Sequence, residues 1–172
     1  KKITRKLVRT NPKSQNTLVA ALYSYQPPLR LDYYDMKIIK NESEITDKTK
    51  NYLLITSPRK KMFILNDYKT SNKYNEARIP VTKQLNGVIN KFLKLNPDRK
   101  YVVQQKSGEP LTRNQLGKLI PVVFKDTGKN VTLNIIRHVF ISEKVDLNAV
   151  KEFKNIAACM LHSGSEQQNY AK

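Results

Sequence analysis

Apolar and polar positions alternate along this chain in short blocks. Residues 1–16 are basic and polar and carry no assigned element. TLVAALYSY then predicts a short apolar helix, stopped at Pro27 and Pro28 because proline lacks an amide N–H and fixes φ. LDYYDMKII continues as a second helical segment, and NESEITDKTK reads as a polar connection. NYLLITS and KKMFILNDYK predict two strands, rich in branched and aromatic residues and parted by the turn signal Ser57-Pro58, hence a hairpin. After a polar turn over 70–76, ARIPV predicts an edge strand, since Pro80 cannot donate to a central ladder.

Beyond that strand the period changes. Apolar residues at 81, 85, 88, 89, 92 and 93 fall on one helix face, with Pro97 just past its end. YVVQ is extended. Thr112 and Gln115 form a capping box opening a helix through Leu116, Leu119, Ile120, Val123 and Phe124, with a kink expected at Pro121 and an end at Asp126-Thr127-Gly128. A helix near Thr132 should bury Leu133, Ile136 and Phe140, and another from Asp146 should bury Val150, Phe153, Ala157 and Met160. The predicted class is mainly α with a small antiparallel β-sheet (α+β). Neither a repeat nor a low-complexity linker divides the chain, so residues 1–172 read as a single domain.

Charge narrows the partners. The chain carries 32 Lys and Arg against 14 Asp and Glu, a net +18, with 39% hydrophobic residues, which suits a folded basic domain rather than a disordered tail. Such an excess repels itself unless a polyanion compensates it. The cations are spread over the chain instead of flanking one apolar face, which favours nucleic acid over a membrane surface. Cys159 alone cannot make an internal disulfide, and His138 and His162 are too few for a zinc cluster. With neither a membrane-spanning run nor a secretory signal, the expectation is an intracellular protein, whether in the nucleus or cytoplasm of a host.

Two places could carry chemistry. If Leu133, Ile136 and Phe140 face the core, Asn134, Arg137 and His138 share another flank and could together grip a phosphate. Near the end, the Tyr170 hydroxyl could attack a phosphodiester, although a phenol of pKa about 10 needs cations or a proton acceptor beside it.

In chain order, Arg30 after a Pro-rich break, Lys69-Thr70 after a strand, Arg137-His138 in a helix, Leu161-His162 and Tyr170 resemble the catalytic domain of the tyrosine recombinases, the phage-integrase superfamily. The resemblance runs from about Leu18 to Tyr170. PPLRLDYYDM resembles the first arginine motif, and LNDYKTSNKYNEARIPV the hairpin with the catalytic lysine. Lys69 is the natural match there, with Lys73 and Lys60 or Lys61 as weaker candidates. LNIIRHVFIS resembles the His-x-x-Arg-His motif with Asn134 in place of its first histidine, and CMLHSGSEQQNY the segment ending in the nucleophilic tyrosine. The departures suggest a divergent lineage, viral or mobile-element in origin.

The resemblance implies a site-specific recombinase or integrase that cleaves and rejoins duplex DNA through a 3′-phosphotyrosine link. Tyr170 would attack, Arg30, Arg137 and His162 would hold the phosphate oxygens, and a partly buried Lys69 would protonate the leaving 5′ oxygen. Asn134 and His138 would support these groups, and Lys60, Lys61, Lys73 and Arg78 would contact the DNA backbone. Neither a cofactor nor a metal is expected. The resemblance further implies a longer protein with an N-terminal core-binding domain, from which residues 1–172 are excised, and a tetramer on DNA. Two alternatives stand beside it: relaxation of DNA by type IB topoisomerase chemistry, and an inactive DNA-binding module.

Overall fold

Strands β2 (Tyr52–Ile55) and β3 (Lys61–Leu65) form the middle of the sheet, and their unbroken apolar runs follow from having two faces to bury. Leu53, Phe63 and Leu65 point into the main core, while Tyr52, Leu54 and Ile64 build a second small cluster with Ile39 on the opposite face. Ile45 and Met62 pack against that second cluster. The period of two along each strand therefore divides apolar side chains between two cores rather than between core and solvent.

This arrangement comes from a computed structural model, which describes residues 1–144 and Met160. Among them are six α-helices and a four-stranded sheet of order β1-β2-β3-β4, with β1 at Lys37–Ile39 and β4 at Ala77–Pro80. The expected α+β class and the β2–β3 hairpin hold, and β4 is an edge strand. The sheet is mixed, however, because β1 runs parallel to β2.

β1 lies where a second helical segment was expected. Residues 31–35 turn, with the Tyr34 amide donating to the Leu31 carbonyl oxygen at 3.0 Å, and the chain then extends. Tertiary pairing overrides the local apolar spacing: β1 takes β2 on one side, and on the other Ile38 and Met36 exchange backbone bonds with Lys100 and Val102. The stretch expected to be extended, Tyr101–Gln104, thus seals the outer side of β1.

Helix α1 (Lys2–Thr10) was not anticipated. Its apolar stripe is only Ile3, Leu7 and Val8, and Leu7 and Val8 pack on the main core with Thr4 fully buried beneath them. Helix α2 (Gln15–Leu22) is the hub: Thr17 through Leu22 are all buried, and it touches α1, α4 (Lys83–Leu95) and α5 (Arg113–Val123). The boundary read from Thr112 is real, and α4 carries an N-cap of its own at Thr82. The hydroxyl of Thr82 accepts from the Leu85 amide, and Thr112 and Gln115 cap each other reciprocally. The remaining helices are α3 (Ser71–Tyr74), between β3 and β4, and α6 (Leu133–Lys144). No helix of the described residues is long and apolar enough to cross a membrane. The helix expected from Asp146 lies outside the described residues, apart from Met160, which is buried as expected.

Candidate functional site

The Pro27-Pro28 break delivers Arg30 to a fixed place. After α2 the chain crosses a buried aromatic group in which Tyr23 meets Tyr33 edge-on at 5.6 Å and Tyr33 meets Phe63 at 5.3 Å. The Tyr23 hydroxyl donates to the Arg30 carbonyl oxygen at 2.9 Å, and Gln26 Nε2 donates to the Tyr33 hydroxyl at 3.3 Å. Arg30 is half-buried, and Asp32, two residues on, is 2% exposed.

Helix α6 corrects the expected orientation of the second motif. Arg137 is 1% exposed and shares the buried face with Ile141, one turn further on. Leu133, Ile136 and Phe140 are only partly buried, while Asn134 and His138 are exposed. The three polar residues therefore do not share one flank: the arginine points inward and the other two outward. The expected face is shifted rather than lost: Leu133 and Ile136 pack against the main core, while Arg137 and Ile141 occupy the deepest positions.

The arginines share an electrostatic partner in Asp32. Burial pushes its carboxyl above the ordinary range, and this is opposed by the charge of Arg113, then of Arg30, by a backbone hydrogen bond at Arg30, and by the charge of Arg137. Arg137 and Arg113 also act on the buried Tyr23 phenol, whose pKa is raised chiefly by desolvation. Guanidinium groups from three distant segments thus act electrostatically on one buried carboxyl. Such a cluster of fixed cations can hold an anion whose charge is spread over several oxygens.

Arg113 was not among the expected site residues. It is the first residue of α5, exposed, with its guanidinium carbon 5.2 Å from the centre of the Tyr34 ring. A signal was present in the sequence: the Thr112–Gln115 box locates the helix start, and a cation in a first turn opposes the helix dipole.

Lys69 sits in the loop joining β3 to β4 and is exposed rather than partly buried. The loop is braced across its base by the Tyr68 hydroxyl donating to the Asn75 carbonyl oxygen at 2.8 Å, and Asn75 adopts φ 55°, the left-handed region. Lys73, on α3, is exposed, with its ammonium 5.4 Å from the Tyr74 ring centre. The Tyr34 hydroxyl meets Asp67 Oδ2 at 3.3 Å, joining this loop to the segment after Arg30.

Lys60 and Lys61 lie at the other end of β3, five residues of strand or about 17 Å away. Lys60 is exposed in the β2–β3 turn. Lys61, expected on the DNA backbone, is 4% exposed. Its ammonium donates to the Pro58 carbonyl at 3.0 Å, Asn86 Oδ1 at 2.6 Å and Asn90 Oδ1 at 2.5 Å, fastening the turn to α4. A group with three acceptors in its own chain is a structural clamp, and desolvation lowers its pKa. Arg78, a further expected backbone contact, forms a fork with Glu42 at 2.8 and 3.0 Å and meets Glu76 at 2.6 Å, so carboxylates already match its charge. His162 and Tyr170 lie outside the described residues.

No protein-family model matches the sequence, nor does any curated protein. Among solved structures, the chain is similar to the crystal structure of XerA recombinase, with a TM-score of 0.66 and 14% sequence identity, over 99% of this chain and 56% of that one. It therefore spans little more than half the length of that structure. At this identity the likeness concerns the fold alone, which among the described residues is six helices with a four-stranded sheet, an α+β arrangement.

Proposed function

We propose that the chain is the catalytic part of a DNA recombinase that cleaves and rejoins duplex DNA through a 3′-phosphotyrosine link. What supports this reading is that Arg30 and Arg137, from segments far apart in the chain, both act on the buried Asp32 carboxyl. Two fixed guanidinium groups at one locus suit a phosphodiester undergoing in-line displacement, where negative charge spreads over the equatorial oxygens. A bond forms from the Tyr170 oxygen to phosphorus while the bond to the 5′ oxygen breaks. The phenol proton departs to solvent, and the Lys69 ammonium supplies a proton to the leaving oxygen. Docked DNA covers the exposed Lys69, and the net charge of +18 supplies salt-sensitive attraction to the backbone. Lys60 and Lys73 are the exposed backbone contacts of this reading, with Arg113 beside the phosphate. His162 adds a hydrogen bond to a phosphate oxygen, and assembly into a tetramer on DNA aligns paired sites for exchange.

A duplex nicked just beyond the cleavage point tests this directly, because the freed short strand diffuses away and traps the link. The unaltered protein is expected to form an adduct that survives denaturation, and Tyr170→Phe to form none. DNA binding without any adduct from either would reject strand cleavage. Paired-site exchange and plasmid relaxation, measured side by side, separate recombination from topoisomerase activity.

A further inference from the structure

Asn51 is fully buried and immediately precedes β2. A carboxamide has two N–H donors and an oxygen able to accept two bonds, and here all four are used. Nδ2 donates to the Asp32 carbonyl at 3.0 Å and to the Asp67 carbonyl at 2.8 Å, while Oδ1 accepts from the Asn66 and Asp67 amides, both at 2.9 Å. One side chain thus joins the backbone two residues after Arg30 to the backbone two residues before Lys69. Neither the hydrophobic pattern nor the family resemblance draws attention to this asparagine.

We propose that Asn51 is a positioning residue that sets the distance between the arginine cluster and the Lys69 loop, and hence aligns the proton donor with the leaving oxygen. The inference rests on the strand-cleavage reading above. Arg30 has a second anchor in the Tyr23 hydroxyl and the aromatic group beneath it, so loss of the bracket displaces the loop more than the arginine. The Tyr34–Asp67 contact, at 3.3 Å, is the weaker second tie across the same gap. Aspartate at position 51 keeps both acceptor bonds to Asn66 and Asp67 but loses the donors that hold the two carbonyls. A misplacement of about 1 Å in a proton-transfer group costs on the order of 100-fold in rate.

The test is single-turnover adduct formation on two nicked duplexes, one with the ordinary 5′ oxygen at the cleavage point and one with sulfur there. A thiolate leaves without a proton, so the sulfur duplex does not need Lys69. Asn51→Asp is expected to slow cleavage at least tenfold with oxygen yet stay within about threefold of the unaltered protein with sulfur, matching Lys69→Ala. Equal slowing on both duplexes, or none on either, overturns the inference and leaves strand cleavage standing. If Asn51→Asp lacks a cooperative thermal transition, Tyr34→Phe takes its place, with a smaller defect confined to the oxygen duplex expected and a uniform defect or none overturning the inference. Failure of the unaltered protein on both duplexes rejects strand cleavage, and the positioning role with it.

Discussion

The buried hydroxyl of Tyr23 donates to the carbonyl oxygen of Arg30 at 2.9 Å, tying the arginine's backbone to the C-terminal end of α2. Tyr23→Phe keeps the ring packing and removes this bond. A stability loss of about 1 kcal/mol is expected, with an unchanged slope in denaturant unfolding. A larger loss would mean that the hydroxyl holds more than the Arg30 segment.

Asp32 should respond to pH in a defined direction. Its carboxyl titrates above the ordinary 3.8 in the folded chain, so its contribution is most favourable below that value and is lost as pH rises through the folded pKa. At neutral pH the buried carboxylate therefore carries a net cost despite the arginines. Asp32→Asn is expected to be at least as stable as the unaltered chain at pH 7, the difference shrinking as pH falls toward 3.8. Denaturant midpoints across that range decide it.

Lys60 and Lys61, adjacent in sequence, should part in their effects. Lys61→Ala strips three acceptors of a buried donor and is expected to cost about 1–3 kcal/mol of stability. Lys60→Ala is expected to change stability by less than about 0.5 kcal/mol while lowering the salt dependence of DNA binding by about one unit of slope. A Lys61 variant of full stability and reduced salt slope would restore that residue to the DNA surface.

Arg113→Ala tests the arginine that the motifs did not contain. Removing a cation from the first turn of α5 should leave stability within about 0.5 kcal/mol. DNA affinity should fall, with a salt slope smaller by about one, in binding measured at several salt concentrations. Unchanged affinity would place Arg113 in a purely structural stack on Tyr34.

Local patterns served well where one force dominated. Thr112 with Gln115, the apolar face from Leu85 to Phe92, and the Ser57-Pro58 turn were all readable because capping, periodicity and turn chemistry act over a few residues. Residues 31–39 misled because their helical spacing was overruled by partners at 52–54 and 100–102. On α6 the period was right and the phase shifted: Leu133 and Ile136 pack on the core as ranking by apolarity suggests, yet Arg137 lies deeper than either. Candidate residues could be proposed from motif order, but the Asp32 focus and the Asn51 bracket exist only after three loops meet. Lys61 was misread because a lysine beside two other cations looks like surface, and its acceptors come from α4, far along the chain.

The two margins of the described sheet are protected in different ways. β1 is covered by the backbone of residues 100–102, while β4 ends in Pro80, which has no N–H to offer, and carries the Arg78 fork to Glu42. One margin is thus occupied by the chain's own backbone and the other is short, charged and proline-ended, which disfavours ladder extension between copies of the described part.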